Sequence, residues 1–457
     1  MEKSLFVISD LHLGGPEGFQ ICPAEGRERL VRFVDWVAGQ KREGTEIQLI
    51  LNGDIVDFLA EEDESGGFSA FVVDEGKARR KLTRIAEECE PVLAALRRFA
   101  AADNRLTLLI GNHDVELSLP LVRRDFLALL GEARIEYLYD NEAYSIGPVL
   151  IEHGNRYDAW NMVNHCELRQ VRSKLSRNEM PGTFSAQPGS ELVARVMNPV
   201  KKKFSFVDLL KPETGGVLPI LAVLDPGLWR EAGPAMRQRV TAWYQGRFTK
   251  EGLPERTDYI AASFPDKVIT TPSQELPENL RAGLDAADAA LTDSLARGAQ
   301  VSLTKEIAVA GLLKAFRSWR SKADITFSVE HEDDEYLKPA REHAKHFRVV
   351  VFGHTHLPKR IDLGGGALYL NTGTWADVMR IPAAVYEGDE VAGAKALTHF
   401  LDDVEKNNIT EFRRQISTFA RIDLDAEEQL KSADVLFFDD DGRVVSISSA
   451  GMCERLA

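Results

Sequence analysis

Five times along this chain an apolar run stops at a small cluster of Asp, Asn, Gly and His: SLFVISDLH, QLILNGD, LTLLIGNHD, PVLIEHGN and RVVVFGHTH. Short runs rich in Val, Ile, Leu and Phe read as buried strands, and Gly, Asn and Asp end them in turns. In α/β sheets the carboxyl ends of strands are where ligands gather. A chain with five such ends is constrained toward a fold that collects them.

The stretches between the first three runs are helical in pattern: RERLVRFVDWVAGQ follows the first, and a long charged amphipathic segment ending VLAALRRFA follows the second. This βαβαβ alternation predicts a layered α/β (α+β) architecture over residues 1–155. RIEYLYDN, EAYSIG and PVLIEHGN read as shorter strands closing a second sheet or a sheet edge. Residues 156–345 switch to interrupted helical periodicity, which predicts a mainly helical insertion or cap far longer than an ordinary loop. Strand patterns resume at 346–400, completing a core made of 1–155 and 346–400. Residues 401–457 are expected to form a C-terminal extension packed on that core, with a β-hairpin at VLFFDDDGRVVSIS.

A net charge of −15 argues against general affinity for the nucleic-acid backbone. Cys22, Cys89, Cys166 and Cys453 form no CxxC pair, so neither a zinc knuckle nor a disulfide framework is expected, and a cytoplasmic location fits. MEKSLFVISDLHLG is too short and too early interrupted to read as a signal peptide. The most apolar later stretch, GGVLPILAVLDPGLW, is interrupted by prolines and falls short of the about 20 residues a bilayer requires. A soluble protein is expected, with any membrane contact peripheral.

The strand-end clusters supply Asp10 and His12; Asp54; Asn112, His113 and Asp114; His153; and His354 with His356. Singly, each has an ordinary explanation as a cap, a turn former or a satisfied histidine. In GHTH, an extended backbone would point His354 and His356 to the same side, roughly 7 Å apart at a rise of about 3.3 Å per residue. That spacing suits chelation. The combined set holds imidazole, carboxylate and amide donors and no thiolate, which suits Mn²⁺, Fe or Zn²⁺ better than Mg²⁺ or Ca²⁺.

In order, the clusters read DxH, GD, GNHD, H and GHTH, a pattern that resembles the calcineurin-like metallophosphoesterase superfamily. The resemblance covers about the first 155 residues and the stretch from about 346 to 380. It implies a β-sandwich flanked by helices that carries two divalent metal ions, Mn²⁺ in the first instance. One ion would be held by Asp10, His12, Asp54 and His356, the other by Asp54, Asn112, His153 and His354. It further implies a phosphoester hydrolase in which a metal-bridging hydroxide attacks phosphorus. His113 would serve as general acid or transition-state donor with Asp114 holding its ring. Asn155, Arg156, Tyr157 and Asp158 would lie near the substrate or behind the ligands, and Asp57 would be a structural hydrogen bonder.

Departures narrow the substrate. Protein phosphatases of the superfamily read GDxxDRG, whereas Phe58 and Leu59 stand here where that arginine would clamp a phosphomonoester dianion. A phosphodiester or pyrophosphate in a small-molecule or lipid-linked substrate is expected instead. The layout is partly similar to UDP-diacylglucosamine hydrolases, with His113 in place of their arginine and a much longer insertion. Lys201 to Lys203, in MNPVKKKFSFVDLLKP, are compatible with an amphiphilic substrate. A metal-dependent nuclease and a non-catalytic metal-binding scaffold are the rival readings.

Overall fold

Strands and helices alternate through the first third of the chain. They are β1 (Glu2–Ile8), α1 (Ala24–Ala38), β2 (Thr45–Asn52), α2 (Glu75–Glu88), α3 (Glu90–Ala101), β3 (Arg105–Leu109), α4 (Pro120–Leu130), β4 (Ile135–Leu138), β5 (Tyr144–Ile146), β6 (Val149–Ile151) and α5 (His165–Leu175). Then come β7 (Leu210–Lys211), β8 (Val349–Phe352), β9 (Pro358–Gly364), β10 (Ala367–Thr372), β11 (Asp377–Arg380), β12 (Arg413–Gln415), β13 (Thr418–Leu424), β14 (Leu430–Phe438) and β15 (Val444–Ser446). These belong to a computed structural model that describes residues 1–131, 134–211, 213–225, 285, 305–318 and 327–449.

Two units are present. The first comprises Met1–Lys202, Ser328–Asp377 and Gln415–Ala457; the second comprises Lys203–Phe327 and Val378–Arg414. In the first, a seven-stranded sheet of order β15-β14-β13-β1-β2-β3-β4 accompanies a five-stranded sheet of order β5-β6-β8-β10-β9. This is the layered α/β architecture that the alternating pattern predicts. β1, β2, β3 and β4 run parallel, which requires crossover helices. α1 answers that need by burying Leu30, Phe33, Val34 and Val37 at helical spacing. Phe33 packs against Trp375, Phe419 and Phe438, so the helix is anchored by residues from the far end of the chain. The buried amide of Gln48 donates to Thr107 Oγ1 and to Tyr144 Oη, both at 2.8 Å, which joins β2 and β3 of one sheet to β5 of the other.

Register decides where the polar clusters go. Ile8 pairs with Leu51, and Asn52 pairs with Leu109, so β1, β2 and β3 end level. In the second sheet Ile151 pairs with Val351, which levels the ends of β6 and β8. All five clusters begin within a few residues of those ends. FARIDLD falls in β13, antiparallel to β1, and VLFFDDDGRVVSIS forms the expected hairpin as β14–β15.

The first unit also takes in residues 156–202, including α5 and a helical stretch from Pro188 to Lys201 that contains a π-helical turn at Val193–Met197. Among its described residues the second unit has helices at Glu213–Leu224, Lys305–Ser318, Ala383–Tyr386 and Glu390–Glu405 and a small sheet of order β12-β11-β7. Leu312, Phe316, Leu397, Phe400 and Leu401 are buried there. Within the stretch 156–345 expected to be mainly helical, residues 226–284 and 286–304 lie outside the described residues. No described helix is long and apolar enough to cross a membrane.

Candidate metal centre

The loops after β1 and β2 are bonded to each other before any side chain takes part. Asp10 N donates to Gly53 O, and Leu11 N and His12 N donate to Asp54 O at 2.9 and 3.0 Å. This interlock bends the chain into the left-handed region at Asp10, His12 and Asp54, with φ of 55°, 45° and 50°. His354 and His356 share that conformation, at 69° and 63°. Non-glycine residues avoid it because Cβ crowds the backbone, at a cost of order 1–3 kcal/mol each, and such strain concentrates at functional sites. The extended geometry expected of GHTH is therefore not found: β8 ends at Phe352 and the two histidines sit in a turn.

That turn sends the two rings to different neighbours. His356 Nε2 lies 3.0 Å from His12 Nε2 and 3.4 Å from Asp10 Oδ1. The His354 ring lies 5.4 Å from that of His153. Asp54 stands between, its Oδ2 being 3.8 Å from His12 Nε2 and 3.3 Å from His153 Nε2, while its Oδ1 accepts His113 N at 2.8 Å. Two groups with metal-ligand spacing result, Asp10–His12–His356 and Asp54–His153–His354. Asn112 is linked to His354 of the second group through Asn161 and Asp158. A further such group, His12–Asp54–His113, overlaps both.

Several donor atoms here are buried and unbonded, which burial in protein ordinarily forbids. Asp10 Oδ1, Asn112 Oδ1 and His153 Nε2 have no hydrogen-bond partner among the described residues. Their other polar atoms are spoken for. Asp10 Oδ2 accepts from Ser9 Oγ and from His354 N. His153 Nδ1 donates to Asn52 O at 2.8 Å, which turns Nε2 toward Asp54 Oδ2, 3.3 Å away, and Asn112 Nδ2 donates to Asn161 Oδ1 at 3.4 Å. A histidine pinned through one nitrogen so that the other faces a shared space is the arrangement metal ligands use. The donor set fits divalent cations.

The electrostatics point the same way. Burial raises the Asp54 carboxyl, but the His153 and His113 rings outweigh it and hold it well below the carboxylate range. Burial lowers the His153 imidazole and the Asp54 carboxylate more than offsets this, raising it to about 9. His113 behaves likewise: burial lowers it, Asp57 and Asp54 raise it, and it reaches about 10. The negative field of these carboxylates favours positive charge in the pocket.

Asp114 does not hold the His113 ring. Both its oxygens are taken by backbone N–H groups, Gly111 N and Ile55 N at 2.7 Å, so it braces the loops. The ring is met by Asp57, whose Oδ1 is 3.2 Å from His113 Nδ1. Asn155, Arg156 and Tyr157 also turn into the framework. Asn155 Nδ2 donates to Asn161 O, Arg156 binds Asn141 and Glu152, and buried Tyr157 donates to Glu152 and meets His343. Sequence reading passed over Asn161, which carries no signal except its position eight residues after His153. The lysine triplet is engaged locally: Lys201 Nζ donates to Phe19 O, Lys202 pairs with Glu62 and Lys203 with Asp225.

A family model described as calcineurin-like phosphoesterase matches residues 3–195. A search of curated proteins gives no match. The matched segment contains the DxH, GD, GNHD and lone-His clusters, whose residues the fold gathers at level strand ends with those of GHTH. Over residues 3–195 the chain is thus similar to the calcineurin-like phosphoesterases.

Proposed function

We propose that this chain hydrolyses a phosphodiester or pyrophosphate bond in a small-molecule or lipid-linked substrate, with two divalent ions, Mn²⁺ in the first instance. The observation that carries the reading is the set of buried, unbonded donor atoms Asp10 Oδ1, Asn112 Oδ1 and His153 Nε2 around Asp54. Asp10, His12, Asp54 and His356 would hold one ion, and Asp54, Asn112, His153 and His354 the other. When bound, the ions supply an activated water and neutralise charge on the phosphoryl oxygens.

The chain's own residues do the rest. His113 has a partly open side chain, 20% exposed, and holds its proton because Asp57 and Asp54 face it. With Nδ1 against Asp57, Nε2 is the atom left to pass a proton to the leaving-group oxygen. Phe58 is fully buried where a protein phosphatase would present its arginine, which supports a substrate of lower charge per phosphorus. Cys22 and Cys89 are buried free thiols, which supports a cytoplasmic location. Substrate choice is assigned to the helical insertion.

The test is hydrolysis of bis(p-nitrophenyl) phosphate by the Mn²⁺-loaded protein, abolished in Asp54→Ala and His113→Ala. It is followed by a screen of phosphomonoesters, cyclic nucleotides, nucleotide-diphosphate sugars, lipid-linked pyrophosphates and single-stranded DNA. Turnover on none of them would sink the hydrolase reading, and salt-dependent cleavage of DNA alone would replace it with a nuclease.

A further inference from the structure

Two of the ligand positions, Asn112 and His354, are aimed by the same turn, the one that follows β6. Asp158 Oδ2 accepts from His354 Nε2 at 3.1 Å and from Asn161 Nδ2 at 2.6 Å. Asn161 Oδ1 in turn accepts from Asn112 Nδ2 at 3.4 Å. The other oxygen of Asp158 accepts Trp160 N at 2.8 Å, so the carboxylate is fixed at both ends.

We propose that Asp158, acting through Asn161, is the positioning group for the Asn112 side of the metal centre, setting the ring nitrogen that His354 presents and the amide orientation of Asn112. The inference rests on the dinuclear reading above.

The chemistry is one of donors and acceptors. An ionised carboxylate only accepts, so the His354 nitrogen beside it must carry the proton, and Nδ1 is left with the lone pair. The same carboxylate demands the NH₂ end of Asn161, which turns the carbonyl end of that amide toward Asn112. Asn112 must then answer with its own NH₂, and its carbonyl oxygen is left facing the ligand space, buried and unbonded. Reversing the Asn161 amide would set NH₂ against NH₂ and oxygen against carboxylate, and reversing that of Asn112 would set oxygen against oxygen. Asn161 has little room to move, because Asn155 Nδ2 holds its backbone oxygen and a Cβ at Gly189 would overlap its side chain. One carboxylate thereby aims two ligands that lie far apart in sequence. Carboxylates standing behind a ligand in this way contribute about 10–100-fold to metal affinity.

The experiment is Mn²⁺ titration of the EDTA-stripped full chain by calorimetry, with the count of bound ions checked by electron paramagnetic resonance. The wild type is expected to bind two ions. Asp158→Asn and Asn161→Leu are each expected to weaken one of them by about 10–100-fold and leave the other within about twofold. Asp158→Glu, which keeps the acceptor, is expected to recover part of the loss. Near-ultraviolet circular dichroism tests folding, and if Asp158→Asn does not fold, Asn161→Leu decides. A wild type that binds fewer than two ions overturns the dinuclear reading itself. A wild type that binds two, with variants that keep both affinities or weaken both equally, overturns the positioning role alone.

Discussion

His113 Nδ1 lies 3.2 Å from Asp57 Oδ1, and that same oxygen accepts the backbone N–H groups of Leu59 and Ala60. The other oxygen of Asp57 lies 3.4 Å from His12 Nδ1. Burial raises the Asp57 carboxyl, but the His113 and His12 rings outweigh it and hold it below the carboxylate range. Asp57 is thus a fixed negative charge behind the His113 ring, the proton donor of the proposed reaction. Asp57→Asn keeps the shape and removes the charge, so kcat on bis(p-nitrophenyl) phosphate is expected to fall about 100-fold, the low end of a general-acid contribution, with Mn²⁺ stoichiometry unchanged. Asp114→Asn is expected to act on stability instead, costing about 1–3 kcal/mol by leaving a buried N–H unsatisfied. Steady-state kinetics and urea denaturation separate the two; a larger kcat loss in Asp114→Asn than in Asp57→Asn would reverse the assignment.

The strand ends are legible because an apolar run and the cluster that stops it are local facts. What answers across the chain is not. Asp57, three residues after Asp54, reads as a structural hydrogen bonder; its approach to His113 depends on β2 and β3 ending level, a pairing no periodicity encodes. FARIDLD reads as a strand, but nothing in it says that it will lie beside β1. The GHTH geometry was misleading for a different reason. Rules for extended backbone assume negative φ, and His354 and His356 both have positive φ. Where the backbone is strained to serve a site, pattern reading loses its geometric basis.

Gly111 is required for its missing side chain. A Cβ built there would overlap Asp54 Oδ1 and come within 2.7 Å of its Cγ. Because Asp54 is held on both sides, by His113 N and by the loop after β1, it has nowhere to retreat. Gly111→Ala is expected to cost about 1–3 kcal/mol, as overpacking does, and to displace the shared carboxylate. Denaturation curves and Mn²⁺ titration should show both losses together; a variant that loses stability but keeps full Mn²⁺ affinity would place the strain elsewhere.

Glu116 gives the fold a pH dependence away from the metal ligands. Burial raises its carboxyl from 4.5 to about 7, against the pull of Val72 N and Lys81. The folded value lies above the unfolded one, so the protonated acid is the form the fold favours. Its contribution is complete below about pH 4.5, is lost as pH rises toward 7, and is flat above that. Glu116→Gln keeps an acceptor for Val72 N, which Glu116 Oε1 binds at 2.8 Å, without the buried charge. It is expected to stabilise the protein at pH 8 by about 3 kcal/mol, taking about 1.36 kcal/mol per pKa unit, and to be neutral near pH 4.5. Chemical denaturation at the two pH values measures this, and equal effects at both would rule out titration of Glu116 as the cause.

His354 and His356 are one residue apart and serve different neighbours. His356 Nε2 faces His12 and Asp10, whereas the His354 ring faces His153 and is braced by Asp158. If the two sides hold separate ions, each histidine controls its own. His354→Ala is expected to weaken the ion shared with Asn112 and His153 by about 10-fold or more, and His356→Ala the ion shared with Asp10 and His12, each leaving the other ion largely intact. Asp54→Ala, which removes the carboxylate common to both, is expected to weaken the pair together. Paired titrations of the three variants with Mn²⁺ test the division, because equal loss of both ions in either histidine variant would mean that the two rings act on one centre and not on two.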